Sequence, residues 1–332
     1  MTGNTLAAEP GRSTISASVK KNRRRERLPY LMFLPALVFL LIITLPPFLY
    51  GLAISFTNWP LTIPSEGQAF VGLSNYRDLL HNPDFFQIVK TTLIYTVSAV
   101  GLSFLIGFGI ALLLNKPIRG RGLYQTLLLV PMVSTPVVIG LGFKYMYNSQ
   151  YGIITYLLSL IGLPRVSFLG DPSLALAAVI AVEIWQWTPF VALVLLAGLE
   201  SQPRQPLEAA NVDGASRIQI FRYITLPQMK RVIMVVLLIR TMDALRSFDL
   251  IYMMTRGGPG NTTETLIMSA WRQGFSFFNM GIAAAIAMMM LYLVLVSSWT
   301  FMHAATTETA AGGASAVGTE TPVAAASGDG EV

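Results

Sequence analysis

The chain has 332 residues, of which 53% are hydrophobic and only 12% are charged, and its mean hydropathy is +0.58. One soluble core of this length cannot bury so much apolar surface, so the composition predicts a membrane protein. The net charge of +6 would also suit a nucleic-acid-binding protein, but the placement of Lys and Arg fits membrane topology better. The absence of Cys excludes disulfides and thiolate metal sites within the chain, without identifying the compartment.

Several apolar runs come close to the roughly 20 residues that are needed to cross a bilayer. They lie at residues 31–50, 91–115, 122–143, 173–199, 232–254 and 281–302. We therefore predict an all-α polytopic membrane protein with about six transmembrane helices. Between the third and fourth runs, residues 151–163 are apolar but too short to cross. They predict an interfacial helix that ends at Gly162 and Pro164.

The basic residues predict the orientation of the spans. With the N-terminus inside, the inner segments hold Arg12, Lys20, Lys21, Arg23, Arg24, Arg25, Arg27, Lys116, Arg119, Arg121, Arg204, Arg217, Arg222, Lys230 and Arg231. The outer segments hold only Arg77, Arg165, Arg256 and Arg272, with Lys90 and Lys144 at span edges. Because cytoplasmic loops carry an excess of Lys and Arg, this distribution predicts that both termini lie in the cytoplasm.

The two ends of the chain differ in composition from the apolar part. We predict a basic cytoplasmic extension at residues 1–29, a membrane domain at residues 30–303 and a disordered tail at residues 304–332. A cleaved signal peptide does not fit, because residues 31–50 are long enough to span, lack a small-residue cleavage pattern and precede further spans. A nucleic-acid-binding arm is the alternative interpretation of the basic extension.

A polar stretch at residues 203–227 separates the fourth and fifth runs, on the predicted cytoplasmic side. Residues 207–213 favour a short helix, Asp213-Gly214 is a turn dipeptide, and residues 215–225 favour a second helix. A soluble helix-turn-helix between membrane spans predicts contact with a partner in the aqueous phase. The alternative is an ordinary amphipathic hairpin that lies on the membrane.

Several catalytic and nucleotide-binding motifs are missing from the sequence. No Lys directly follows a Gly, so the phosphate-binding loop G-x-x-x-x-G-K-[ST] cannot occur, and the chain does not bind ATP in that way. The two histidines, His81 and His303, form no H-E-x-x-H pair, and no Cys completes a metal site. The absence of G-x-S-x-G argues against the interpretation of the chain as an intramembrane hydrolase. We expect a chain that is not an enzyme and holds no metal or cofactor.

Charged and aromatic residues interrupt the fourth and fifth runs. Ionisable groups inside a membrane are costly and usually face a cavity or one another. In the fifth run, Arg240, Asp243, Arg246 and Asp249 are spaced three apart. Such neighbours can pair along one helix, so one interpretation is charge compensation. The other is a hydrophilic path suited to the hydroxyls and C–H faces of sugar rings. Its candidate residues are Glu183, Trp185, Gln186, Trp187, Asp243, Arg246 and Asp249.

The polar stretch carries a specific pattern. It consists of Glu208, Ala209, Ala210, Asp213, Gly214, Ala215, Phe221, Ile224, Leu226 and Pro227. This pattern resembles the EAA loop of binding-protein-dependent ABC importers. Three further segments resemble the maltose and glycerol-phosphate type of permease subunit, namely residues 71–76, Pro189-Phe190, and residues 248–252 leading into 255–259. The resemblance covers about residues 31–303.

The resemblance implies a type I ABC importer permease fold in a prokaryotic cytoplasmic membrane. It implies that the 203–227 loop forms coupling helices in a groove of a cytoplasmic ATPase, which binds ATP and Mg. A second homologous permease, two ATPase subunits or domains and an extracytoplasmic solute-binding protein would complete the importer. The external loops at residues 56–89 and 255–263 could face a soluble partner, and no nucleic acid is expected.

The cargo implied by the resemblance is a sugar or polyol, from mono- to oligosaccharide, moved inward by alternating access. Glycerol phosphate or a related ester is the alternative cargo. An ion-coupled secondary transporter is the alternative from a different class of protein.

The residue types suit a coupling role. Ala209 and Ala210 permit close approach, Gly214 permits the sharp turn, and Glu208 can meet a basic residue of the partner. The second helix is expected to present an apolar arc formed by Ile218, Ile220, Phe221 and Ile224. Arg217 lies within this arc, so the arc is not uniformly apolar.

Overall fold

The computed structural model describes residues 13–62, 67–162 and 164–316, with backbone alone at 13–31 and 304–316. Its helices are α1 Ser13–Ser55, α2 Ser74–His81, α3 Pro83–Leu114, α4 Arg121–Val133, α5 Pro136–Met146, α6 Ile153–Leu160, α7 Ala175–Glu200, α8 Arg204–Val212, α9 Arg217–Ile220, α10 Leu226–Leu245, α11 Asp249–Met254, α12 Leu266–Trp271 and α13 Met280–Ala316. π-Helical turns at Phe221–Thr225 and Arg272–Ser276 follow α9 and α12. The short strands β1 Thr57–Asn58 and β2 Ala69–Phe70 pair antiparallel.

The described helices confirm a polytopic membrane fold. Four of them hold segments long and apolar enough to cross a bilayer, namely Met32–Ser55, Pro83–Leu114, Ala175–Glu200 and Met280–His303. The predicted third span is instead the pair α4 and α5, which meet at an angle of 92°. A single straight third helix was therefore wrong. Pro136 explains the break, because a residue before proline is pushed out of the helical region, and Thr135 has an extended ψ of 141°.

The predicted fifth span is also broken. Helix α10 ends at Leu245 and α11 begins at Asp249, so residues 232–254 are not one helix. Arg246 has a ψ of 6°, which lies outside the α-helical region. The row of charges predicted to pair along one helix therefore spans two elements.

The apolar segments between and beyond the spans also have defined ends. The short interfacial segment forms α6, and Gly162 follows it with a positive φ of 84°. Helix α13 continues past His303 to Ala316, so part of the tail predicted to be disordered from its composition has a helical backbone. Alanine, which is frequent there, has the highest helix propensity. Residues 1–12 and 317–332 of the predicted terminal segments lie outside the described residues.

Helix α7 forms the centre of the bundle and packs most extensively on α3. Their contact is close because Gly107 lies against Val191, which is fully buried. Near its end, α7 packs in the same way on α10, where Gly198 lies against Met229 and Val232. Small residues let membrane helices approach closely, so these two glycines set the spacing around α7.

One end of α1 is tied to the start of α13. The Asn75 Nδ2 donates to the carbonyls of Ser55 and Thr57 at 2.8 and 2.9 Å. The backbone nitrogen of Met280 donates to the carbonyl of Trp59 at 3.1 Å. Because Asn75 is buried, these bonds satisfy the polar groups that the end of α1 exposes.

We predict that Gly107→Ala destabilises the bundle by about 1–3 kcal/mol, the usual cost of overpacking a core. An added Cβ would lie 2.9 Å from the Val191 side chain and 3.1 Å from the backbone nitrogen of Ala192, so the helices would have to separate. Thermal unfolding of the purified protein in detergent measures the effect. Gly109→Ala is the matched control on the same helix, because no atom lies within 4 Å of its added Cβ. Equal unfolding temperatures for the two variants would contradict the prediction.

Candidate functional site

A cavity of about 350 Å³ lies where the broken spans meet α7. It is lined by Pro136, Glu183, Trp187, Asp243, Arg246, Ser247, Phe248, Asp249 and Leu250. Five of the predicted path residues therefore come together here. Pro136 begins α5, and residues 246–248 separate α10 from α11, so both helix breaks contribute to the wall. Non-helical backbone at membrane depth is tolerated where it lines a cavity or is buried in protein.

A buried ion pair joins α7 to α10 beside this cavity. The Arg240 Nη2 lies 3.0 Å from the Glu183 Oε1, and the two side chains are only 1% and 3% exposed. The guanidinium also lies over the ring of Trp187, 4.8 Å from its centroid. Glu183 and Trp187 are one helical turn apart on α7, so Arg240 contacts both at once.

This pairing corrects the expectation that Arg240 would pair with Asp243 along one helix. Asp243 instead pairs with Arg246 at 3.2 Å, and this second pair is partly exposed. Because Arg240 faces α7 it meets a carboxylate on another helix. The only signal in the sequence was an acidic residue in the fourth run, Glu183, with no basic residue beside it in that run.

A tyrosine that sequence reasoning missed also reaches the cavity wall. The hydroxyl of Tyr95, a buried residue on α3, donates to the Ser247 Oγ at 2.9 Å. Ser247 lies in the break between α10 and α11 and lines the cavity. Tyr95 therefore ties α3 to the irregular backbone, but it lies in an ordinary apolar run and nothing in that run marks it.

Two of the predicted path residues lie elsewhere. Trp185 is 47% exposed, contacts Phe143 edge to face at 5.2 Å and lines an apolar groove of about 660 Å³. Gln186 is buried, and its Nε2 donates to the carbonyl of Ser134 at 3.4 Å. Successive helix residues point about 100° apart, so these side chains leave the cavity face that Glu183 and Trp187 share. Gln186 instead satisfies backbone at the break between α4 and α5.

The polar stretch at residues 203–227 forms the predicted helical hairpin, with α8 and α9 joined by a turn. Gly214 adopts a positive φ of 77° in that turn, with no atom within 4 Å of the position a Cβ would take. A glycine is therefore favoured at position 214 because of the positive φ, and not because neighbouring atoms leave no room for a side chain. Ser216 caps α9 by a capping box, in which its backbone nitrogen donates to the Gln219 Oε1 at 2.8 Å.

The second helix of this hairpin is anchored at one point and exposed at others. Phe221 packs on Phe108 with ring centroids 5.7 Å apart, so it belongs to the core. Ile218 is 78% exposed, however, so this part of the predicted apolar arc does not pack on the bundle. The π turn that begins at Phe221 places one extra residue in the helical path and separates the two faces. Val212 and Tyr223 are exposed as well, at 87% and 70%.

The predicted contact residues lie at the surface of the hairpin and at its junction with α10. Glu208, Ala209 and Asp213 are exposed, and Ala210 and Ala215 are partly exposed. A shallow cavity of about 360 Å³ borders the turn and is lined by Asp213, Gly214, Ala215, Gln219, Ile220, Tyr223 and Ile224. Leu226 and Pro227 begin α10, where proline is tolerated because it lies in the first turn.

A membrane bundle with two broken spans, a polar internal cavity and an exposed helical hairpin defines the class of multi-pass transport proteins. Residues 99–305 match the family of binding-protein-dependent transport system inner membrane components. The chain belongs to this family. It is therefore a multi-pass protein of the inner membrane, and the expected type I ABC importer permease fold is confirmed.

Curated relatives cover nearly the whole chain. The trehalose/maltose transport system permease protein MalF of Thermococcus litoralis is 37% identical over 287 residues, which are 86% of this chain and 95% of the relative. The trehalose transport system permease protein SugA of Mycobacterium tuberculosis is 34% identical, over 83% of this chain and 88% of the relative. Both are named as transport permeases.

Solved structures agree with the fold. A chain of a bacterial ABC transporter involved in the import of the acidic polysaccharide alginate matches with a TM-score of 0.72 and 27% identity, covering 87% of this chain and 98% of that chain. A bacterial alginate transporter in complex with an alginate pentasaccharide-bound periplasmic protein matches with a TM-score of 0.73 and 26% identity, covering 87% and 97%.

Proposed function

We propose that this chain is the translocation subunit of an ABC importer that moves a sugar or polyol into the cell by alternating access. The observation that carries the proposal is one helical path that joins the exposed 203–227 hairpin to the polar cavity. Helix α9, the π turn and α10 follow one another without a break from Arg217 to Leu245, and α10 ends at the cavity. A force on the hairpin would therefore reach the cavity wall.

The side chains that line the cavity suit a neutral, hydroxyl-rich solute. Broken helices at the membrane midplane commonly form transporter sites. The carboxylates of Asp243 and Asp249 can accept hydrogen bonds from hydroxyls, and the Trp187 ring offers a face for C–H groups. Arg240 already neutralises Glu183, so the other two carboxylates of the lining share one cation, Arg246, which pairs with Asp243. This balance favours a sugar over glycerol phosphate, although the latter remains the second candidate.

The hairpin supports contact with an ATPase. Its exposed apolar side chains, Val212, Ile218 and Tyr223, lie near the carboxylate of Glu208 in sequence and have no cover in the described part of the chain. Apolar side chains exposed together mark interaction sites. In this proposal the partner binds ATP and Mg, and this chain hydrolyses nothing. A second permease, two ATPase subunits and an external binding protein complete the importer, in keeping with the alginate transporter solved with a periplasmic protein.

In the proposed importer the hairpin lies in the cytoplasm, and chemical labelling tests this orientation. Because the sequence has no Cys, a single introduced Cys reports its own side of the membrane. We expect a membrane-impermeant maleimide to label Ser167→Cys on intact cells and to label Gln205→Cys only after permeabilisation. Both positions are exposed. Labelling in the reverse order would exclude the proposed orientation.

The cargo is tested by ATP hydrolysis of the reconstituted importer with its binding protein. Maltose, trehalose, alginate oligosaccharide, glycerol phosphate and a mixture of amino acids are presented in turn. We expect stimulation by one of the saccharides. Stimulation by glycerol phosphate alone would favour the second candidate, and stimulation by amino acids alone would contradict the sugar assignment. Uptake by the isolated chain under an ion gradient without ATP would instead indicate a secondary transporter.

We predict that Gly214→Pro lowers solute-stimulated ATP hydrolysis at least tenfold while the chain remains in the membrane. Proline fixes φ near −65°, whereas the turn requires 77°. Gly214→Asn should retain most activity, because asparagine tolerates the left-handed region. Gly120 provides a matched control on the loop before α4, since it has the same φ of 77° and the same open surroundings. If Gly120→Pro uncoupled the importer equally, the hairpin would have no special role.

A further inference from the structure

Helices α9 and α10 and the π turn between them, here called the α9–α10 rod, make two kinds of contact with α7, one apolar and one ionic. The first is the close apolar contact of Gly198 with Met229 and Val232, near the hairpin. The second is the ion pair of Arg240 with Glu183, beside the cavity. From Arg217 to Arg240 the rod measures about 35 Å at 1.5 Å per residue. The apolar contact continues along α10 as far as Val236, and the ion pair lies beyond it.

The ionic contact is incompletely satisfied. Arg240 donates one hydrogen bond through its Nη2, and its Nε and Nη1, which are buried, have no hydrogen-bond partner among the described residues. A buried charge that lost Glu183 without gaining another partner would be strongly unfavourable. The free N–H groups therefore leave capacity for a second acceptor, and this acceptor must lie within reach of α10.

Asp243 is the candidate for this second acceptor. It lies three residues further along α10, at the spacing that allows side chains to pair on one helix. In the structure Asp243 is held by Arg246, which is more than half exposed. If Arg246 turned to solvent or to a solute, Asp243 could accept from Arg240, while Glu183, which lines the cavity, could accept from a hydroxyl of the solute. The same four residues thus offer two mutually exclusive pairings.

We propose that Glu183 and Arg240 form a latch, which holds the rod against α7 and holds Trp187 in the cavity wall until solute and ATPase act together. Arg240 is a positioning residue, because it contacts Trp187 and Glu183 and does not line the cavity. Movement of the hairpin, transmitted along the rod, separates Arg240 from Glu183. The Trp187 ring loses its cation at the same time. This inference rests on the proposed function and assigns it a conformational switch.

The test compares solute-free ATP hydrolysis by the complete importer, reconstituted in proteoliposomes with its wild-type partners. The double variant Glu183→Gln with Arg240→Met removes the latch without leaving a buried charge. We expect its solute-free rate to rise at least about fivefold, the lower end of ordinary coupling between sites. The reversed pair, Glu183→Arg with Arg240→Glu, should restore a low rate, because it restores the attraction. If the double variant does not assemble, the reversed pair alone decides, and a raised rate there would overturn the latch.

The control is a second ion pair in the same chain, of which only the carboxylate is fully buried. Arg272 lies 2.7 Å from Glu264, with side chains 26% and 4% exposed, and neither residue belongs to the rod or to α7. The double variant Glu264→Gln with Arg272→Met should leave the solute-free rate near wild type. An equal rise in this variant would show a general loss of packing and would overturn the latch.

The latch and the proposed function fail in different ways. If the wild-type importer shows no ATP-dependent uptake of any tested solute, the proposed function fails and the latch with it. If wild-type uptake requires ATP but the double variant keeps the wild-type solute-free rate, the latch alone is excluded.

Discussion

The structure depends on one constraint, which is that a polar group inside the bilayer must find its partner within the protein. Three contacts meet this constraint near the centre of the bundle. Glu183 binds Arg240 across two helices, Gln186 reaches the carbonyl of Ser134 at a helix break, and Tyr95 reaches Ser247 at another. Helix α7 supplies two of the three contacts, and α3 supplies the third through Tyr95. The cavity lies where the broken spans meet α7.

The apolar runs predicted which parts of the chain enter the membrane, because hydropathy depends on composition over about 20 residues. Hydropathy averaged over such a length does not reveal a bend that one residue causes. Pro136 was visible in the third run, yet a proline within a membrane helix often leaves it continuous when neighbours satisfy the freed backbone. The partners that make a full break tolerable here, such as Gln186, come from another helix. Local sequence therefore could not distinguish a kink from a 92° turn.

The candidate site was predictable where chemistry is local. The hairpin follows from its turn dipeptide and from the helix-favouring residues on either side, and the five path residues at the cavity follow from their charge and aromatic character. The sequence did not predict, residue by residue, which side chains of a helix face the cavity. Trp185 and Trp187 look alike in sequence, but only Trp187 faces Arg240. The same limit applies to Ile218, which periodicity placed in the apolar arc although a π turn lies beside it.

The π turn also affects how substitutions on the hairpin influence the packing of the bundle. One extra residue in a helix rotates everything beyond it by about 100°. The face that Ile218 presents to water is therefore offset from the face that α10 packs on α7. In the proposed importer, the surface that would meet the ATPase does not include Met229 or Arg240. A substitution on that surface would therefore leave the packing of the membrane domain in place.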